Sequence, residues 1–227
     1  MKVLIIIPAY NEEDSIYDTV QSVKASTNYD YIVINDGSKD RTPYILEENG
    51  IHHLTLPNNL GIGGAMQTGY KYALRNGYDY AIQLDADGQH NPVDLRNLID
   101  EIENTGYDMI IGSRFVERSG YKGSVTRRIG IYYFYAMLKL LARIRITDPT
   151  SGYRVANRRV IAEFANHYPI DYPEVEVLVH LTKKNFKIKE IKVEMNNRQG
   201  GQSSITPVKS IYYMTKVTYF SLIRSIF

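Results

Sequence analysis

Residues 3–7, VLIII, form an unbroken aliphatic run with no polar side chain to turn towards water. A strand with one wet face alternates apolar and polar residues, so an unbroken run belongs to a strand covered on both faces, as in a parallel sheet. Both covers must then come from helices, and the order of segments supplies them. Helical spacing follows over 12–26 through Ile16, Val20 and Val23, then a second strand over 31–34. A helix over 42–49 has Pro43 at its first position, and a weaker third strand falls at 52–56. The glycine-rich turn at 59–65 leads into a helix over 61–76, a fourth strand over 80–84, a helix over 92–105 and a strand over 109–111. This alternation predicts an α/β protein with a doubly wound sheet.

The second half is less regular. It reads as a polar Gly/Ser-rich loop (114–127), a Tyr-laden helix (129–146), a turn (148–154) and a short strand and helix (155–165). A helix (175–184), a strand (187–193), a flexible loop (198–204) and a closing helix (209–227) complete the chain. With 227 residues this is one domain over 1–204 carrying an appendage over 205–227.

Composition removes several classes of function. A net charge of +2 provides no bulk field for nucleic acid. The absence of Cys excludes a disulfide framework, a thiolate zinc site and a Cys nucleophile, and it fits a reducing compartment. The opening residues, MKVLIIIPAYNEE, turn acidic at once and carry no small-residue cleavage site, so they read as a first strand and not a signal peptide. No stretch reaches the roughly 18 apolar residues of a membrane-spanning helix.

The chemistry concentrates in AIQLDADGQH, residues 81–90. A strand delivers Asp85 and Asp87 on either side of Ala86, and residues two apart on an extended chain point the same way. Two carboxylates facing one point repel unless a cation lies between them, and hard oxygen ligands suit Mg²⁺ or Mn²⁺. The plainer alternative is a polar strand end whose Asp residues cap the helix that Asn91-Pro92 begins. Residues 8–12, 35–38 and 85–90 all lie at the carboxyl ends of strands, where doubly wound sheets bind ligands. Asp36 could accept from a base N–H or a ribose hydroxyl, or simply form a turn with Asp40 as helix cap. Residues 59–65, NLGIGGA, lack the Lys-Ser/Thr of a Walker loop; their glycines, Gly64 among them, either admit a nucleotide or allow close helix–sheet packing.

Seven motifs stand in one order: IPAYNE, INDGSKDRT, NLGIGGAMQTGY, LDADGQH, IGSRF, DPTSGYR and RQGGQSS. Together, over residues 3–204, they resemble family 2 glycosyltransferases of the GT-A fold, in the branch of dolichol-phosphate mannose synthase and polyprenyl-phosphate sugar transferases. Asn35 departs from that pattern, which usually has Asp there, and the chain lacks the paired C-terminal membrane helices of many members. The resemblance implies a Rossmann-like, mixed but mostly parallel sheet flanked by helices, with a C-terminal amphipathic helix. It implies that Pro8, Ala9, Tyr10, Glu12, Asp36 and Gly64 hold the nucleoside end of a nucleoside diphosphate sugar, with Asp85 and Ala86 beside the ribose. Asp85, Asp87 and Gln89 would ligate Mg²⁺ or Mn²⁺, and Arg198 would fold over the diphosphate with its planar fork.

For the acceptor, Arg114 and Arg128 place cations near the end of the last parallel strand. A lipid phosphate acceptor is already an anion and needs positioning. A sugar hydroxyl needs a carboxylate base, for which Asp148 is the first candidate and Glu176 the second. The five His show no paired metal spacing, which leaves His90 and His180 as structural residues.

Arg128, Lys139 and Arg143 fall within a roughly 60° arc at about 100° per residue if 128–145 is one helix. Lys209, Lys216 and Arg224 cluster likewise on the closing helix. Basic strips bordered by Tyr suit an anionic bilayer surface, or the two helices pack on the domain or on a second subunit. The reading is an inverting, metal-dependent glycosyltransferase acting on a polyprenyl phosphate for cell-surface polysaccharide, peripheral at the cytoplasmic face of the membrane. A homo-oligomer or a membrane partner could replace the missing helices, and no nucleic acid is expected. The alternatives are transfer to a hydroxyl of a lipid-linked glycan and a non-catalytic nucleotide-binding module. A nucleotidyltransferase is disfavoured, because no N-terminal Gly-rich loop with a following Arg and Lys is present.

Overall fold

The computed structural model describes residues 1–116, 125–170 and 173–194, together with 214–216, 218, 219 and 222; for 125–129 it describes the backbone alone. The first half alternates as β1 (Val3–Ala9), α1 (Ile16–Ser26), β2 (Asp30–Asn35), α2 (Thr42–Glu48), β3 (His53–Thr55), α3 (Gly61–Arg75), β4 (Tyr80–Gln83), α4 (Asp94–Thr105) and β5 (Met109–Ser113). Then follow α5 (Val125–Leu141), β6 (Arg154–Asn157), α6 (Arg158–Asn166), α7 (Pro173–Lys183) and β7 (Ile188–Lys192). The strands form one sheet in the order β3-β2-β1-β4-β6-β5-β7.

The aliphatic run behaves as its composition requires. Leu4 and Ile6 enter a core with Met66 and Tyr70 of α3, Phe164 of α6 and Leu178 of α7. Val3, Ile5 and Ile7 enter the opposite core with Val20 of α1, Leu46 of α2 and Leu98 of α4. Successive side chains of one strand thus serve two helical layers. Burying each such side chain contributes about 1.5–3 kcal/mol.

Pro8 does not stop the first strand, which stays paired with β2 through Ala9 opposite Asn35. The pairing of β1 with β4 ends at Ile6 opposite Gln83. Residue 6 accepts from Leu84 on that side and residue 9 accepts from Asp36 on the other, so the nitrogen of Pro8 faces the side where the ladder has ended.

All neighbouring pairs are parallel except those of β6, which runs antiparallel to both β4 and β5. Its amino end therefore lies at the rim formed by the carboxyl ends of the other strands. Helix α5 both starts and ends earlier than its apolar pattern predicts, spanning Val125–Leu141. It closes at Leu141, and Arg143 takes a left-handed φ of 57° that turns the chain. Arg143 is thus off the helix, and the basic arc drawn through it does not form. Of the closing segment, residues 214–216, 218, 219 and 222 are helical, and Tyr133 Oη lies 2.7 Å from Thr218 Oγ1. Among the described residues no helix is long and apolar enough to cross a membrane.

Candidate active site

Strands β1 and β4 are adjacent, and the strand order reverses between them, which opens a crevice at their carboxyl ends. The first loop presents Tyr10, 43% exposed, above buried Pro8 and Ala9. Glu12 accepts from Ser15 Oγ at 3.0 Å, and its own N–H donates to Thr42 Oγ1, which ties the loop to the next helix. Asp36 is buried and accepts the Leu60 N–H at 2.7 Å. Burial pushes its carboxyl up, and the N–H groups of Leu60 and Gly61 oppose that. At Gly37 φ is +67°, and a Cβ would stand 2.9 Å from the Asn58 carbonyl carbon, so this loop lies directly on the strand-to-helix turn beside it.

That turn is packed and not open. Leu60 N–H is taken by Asp36, Gly61 N–H by Asn59 Oδ1, and Gly63 N–H by the Ile170 carbonyl at 3.0 Å. A Cβ on Gly63 would collide with the backbone oxygens of Pro169 and Ile170, whereas one on Gly64 would meet Leu60 of its own turn. Close packing is the role of Gly63. Three donors at the head of α3 are already engaged by protein acceptors, which favours the close-packing alternative for these glycines.

Strand β4 ends at Gln83, one residue before the expected end, so Asp85 and Asp87 stand on a turn and not on a pleat. Their surroundings differ accordingly. Asp85 is 37% exposed, and its Oδ1 accepts from the buried Gln83 amide at 3.1 Å. Asp87 is 9% exposed, and its Oδ1 accepts the Gln89 N–H at 3.0 Å. Thr19 Oγ1 donates to the Ala86 carbonyl between them. The Asp85 N–H donates to Nδ1 of buried His90 at 3.0 Å, and the His90 ring stacks on Tyr153 with centroids 4.6 Å apart. The donor set is one of hard oxygens, which fits Mg²⁺ or Mn²⁺; such ions commonly take one or two protein carboxylates and complete their shell with phosphate and water. Among the described residues no group of three His, Cys, Asp or Glu is close enough to hold an ion unaided.

On the other side of the crevice stands a buried ion pair. Asp148 is wholly buried and Arg114 is 4% exposed. Arg114 Nε donates to Asp148 Oδ2 and Nη2 to Oδ1, each at 2.6 Å, and the Arg114 peptide N–H adds a bond to Oδ2 at 3.1 Å. This corrects the expectation of a base at Asp148, since both of its oxygens are occupied by a guanidinium. Glu190 of β7 receives the Thr147 N–H at 2.6 Å and the Asp148 N–H at 2.7 Å. Burial pushes the Glu190 carboxyl up, against those two N–H groups. Arg154 closes the same turn from its other end, donating to the carbonyls of Ser151 and Pro149.

Glu176, the second candidate base, is buried on α7. Glu174, two residues earlier, is half-buried, and burial pushes its carboxyl up; its own N–H and Arg154 oppose this, and Asp85 adds to it. Gln83, Gly152, Glu174 and Glu190 escaped the reading of the sequence. Gly152, inside DPTSGYR, and Gln83, inside AIQLDADGQH, stood in quoted motifs without being singled out. The Arg128 side chain, Arg198 and the boundary at 204 lie outside the described residues. His180 bonds to Glu163 at 2.6 Å between α6 and α7, as a structural residue would.

The sheet order, with an acidic turn at its switch point, is that of a GT-A fold. The chain belongs to glycosyl transferase family 2, whose model matches residues 4–164. It is 31% identical over 213 residues to the UDP-N-acetylglucosamine–dolichyl-phosphate N-acetylglucosaminyltransferase of Methanococcus voltae, covering 85% of this chain and 84% of that one. It is 28% identical over 217 residues to the polyprenol monophosphomannose synthase of Mycolicibacterium smegmatis, covering 90% and 81%. The fold also matches glucosyl-3-phosphoglycerate synthase from Mycobacterium tuberculosis, solved with Mn²⁺, UDP-glucose and phosphoglyceric acid, with a TM-score of 0.75 at 18% identity over 99% of this chain and 79% of that one.

Proposed function

We propose that this glycosyltransferase moves a sugar, with inversion, from a nucleoside diphosphate donor to a polyprenyl phosphate, for cell-surface polysaccharide at the inner face of the membrane. The observation that carries the reading is that Arg114 ties up both oxygens of Asp148, so this carboxylate is not available as the base that a hydroxyl acceptor would need, whereas a phosphate acceptor needs none. Two relatives named for dolichyl phosphate and polyprenol substrates support it.

Pro8, Ala9, Tyr10, Glu12 and Asp36 line the nucleoside end, with Tyr10 offering a stacking face, and Arg198 is assigned to the diphosphate. Asp85, Asp87 and Gln89 would hold Mg²⁺ or Mn²⁺, which when bound supplies positive charge against the departing diphosphate. Arg114 and Arg128 orient the acceptor phosphate. One of its oxygens forms the bond to the anomeric carbon as the bond from that carbon to the diphosphate oxygen breaks. Attack opposite the leaving group inverts the centre.

Approach to the membrane is supported by α5, where Tyr132 is 72% and Leu140 79% exposed beside exposed Lys139, with exposed Tyr219 and Leu222 on the closing segment. Transfer to a glycan hydroxyl is the second reading, with buried Glu176 of α7 as the carboxylate left to serve as its base. Radiolabelled UDP- and GDP-sugars incubated with Mn²⁺ and with undecaprenyl phosphate or a lipid-linked glycan as acceptor decide between them. Label should enter an organic-soluble, alkali-stable polyprenyl-phosphate sugar, whereas label found only in a lipid-linked glycan overturns the first reading.

A further inference from the structure

His90 is 4% exposed and lies at the end of the acidic turn, yet the roles assigned above leave it unused. The paired strand β4 ends at Gln83. Leu84 makes the last ladder-like bond, to the Ile6 carbonyl, and the next peptide N–H, that of Asp85, points away from β1. His90 Nδ1 accepts it at 3.0 Å. A ring nitrogen that accepts a peptide N–H carries no proton, so the neutral ring holds its proton on Nε2. Nε2 stands 3.7 Å from Asp85 Oδ2, so one imidazole faces both the peptide and the carboxylate of the same residue.

The ring is itself held. It lies nearly parallel to Tyr153, at an interplanar angle of 8°, and Tyr153 Oη donates to the carbonyl of Asn91, the residue after His90. From the other side the Gln83 amide donates to Asp85 Oδ1. Gly152 leaves the space: a Cβ there would lie 2.9 Å from both Asp85 Oδ2 and Gln83 Nε2. The Asp85 carboxylate is thus confined on three sides.

We propose that His90 is a positioning residue for Asp85: as its Nε2–H tautomer it closes the turn of residues 85–90 and sets the carboxylate in the orientation in which the site uses it. This rests on the reading of that turn as the donor site and deepens it. A neighbour that orients a ligating group in this way is commonly worth about 10–100-fold in affinity for what that group binds.

Two substitutions separate the acceptor nitrogen from the ring. His90→Asn keeps an acceptor oxygen near the Nδ1 position and loses the stacked ring, whereas His90→Phe keeps the ring on Tyr153 and loses the acceptor. Calorimetric titration with UDP and with GDP, each with and without MnCl₂, reads the result. His90→Phe should weaken the Mn²⁺-dependent part of binding by about 10–100-fold and leave metal-free binding unchanged, with His90→Asn close to the parent chain. The reverse order, or equal losses that track a lowered melting temperature, would overturn the proposal. In the unliganded protein, long-range ¹H–¹⁵N spectra should show a bare Nδ1 at His90 and a through-bond coupling from it to the Asp85 amide; a proton on Nδ1 also overturns it. If the parent chain binds neither nucleotide with Mn²⁺, the donor-site reading fails, and the spectra still judge the tautomer.

Discussion

Glu190 and Asp148, 42 residues apart in the chain, meet through a hydrogen bond from the Asp148 peptide N–H. Glu190 Oε1 accepts the Asp148 N–H at 2.7 Å while the Asp148 carboxylate is bound to Arg114. The edge strand therefore holds the peptide that holds the arginine. A buried pair of this kind is costly to break, because the partner left behind is an unpaired charge.

Asp148→Asn should destabilise the protein by about 3–5 kcal/mol in urea unfolding. The double substitution Asp148→Leu/Arg114→Met should recover much of that loss and still be inactive in transfer. Stability regained together with activity would show that the pair has no part in the reaction.

Asp87→Ala should lower kcat/KM by at least about 100-fold, since a charge-stabilising group is lost from the transition state. Metal-free binding of the nucleoside should persist. Electron paramagnetic resonance with Mn²⁺ and nucleoside diphosphate checks this directly; an unchanged bound-metal signal would remove Asp87 from the site.

Gly152→Ala places a methyl group 2.9 Å from Asp85 Oδ2 and Gln83 Nε2. Gln83 is buried and has little room to retreat, so the carboxylate must give way. The expected outcome is a folded protein with weakened Mn²⁺-dependent nucleotide affinity. Calorimetry beside a melting curve separates that outcome from general destabilisation.

The acid limb of stability should depend on Glu163. Burial would raise its carboxyl, but hydrogen bonds and charge from Lys184 at 2.7 Å and His180 at 2.6 Å outweigh burial and leave it below the ordinary carboxylate value. A carboxyl lowered on folding adds stability that is complete above its unfolded value and disappears as pH falls through the folded one. Urea midpoints measured from pH 7 down to pH 3 should therefore fall less steeply in Glu163→Gln than in the parent chain.

Leu140→Glu and Tyr132→Glu change residues that are mostly exposed, so folding should be little affected. Each should reduce co-sedimentation with phosphatidylglycerol vesicles while leaving binding of soluble nucleotide intact. Unaltered sedimentation would point to another face, or to a protein partner.

The central strands were legible because an aliphatic run such as residues 3–7 has one environment that suits it. The acidic turn was legible as a place, since a strand ending in Asp-Ala-Asp lies at a sheet's rim whichever way its side chains turn. The direction of β6 was not legible: Arg154–Asn157 is four residues long, and nothing in them distinguishes a parallel from an antiparallel neighbour. Nor was the end of α5, because the turn there uses Arg143 in a left-handed conformation where Gly or Asn would have given the signal. Asp148 resembled a base because its partners, Arg114 and Glu190, lie 34 and 42 residues away in the chain.

One reversed strand has a consequence for how such proteins could be recombined. Because β6 folds back into the middle of the sheet, the groups assigned to the donor all precede Asn91 apart from Arg198, whereas Arg114, Asp148 and Glu190 all come from the later chain. A chimaera of two relatives joined between α4 and β5 should inherit its nucleotide preference from the amino-terminal parent and its choice of lipid carrier from the other. Such a graft would have to keep the contacts that cross its seam, those of β6 on β4 and those of Gly152 and Tyr153 on the turn of residues 85–90.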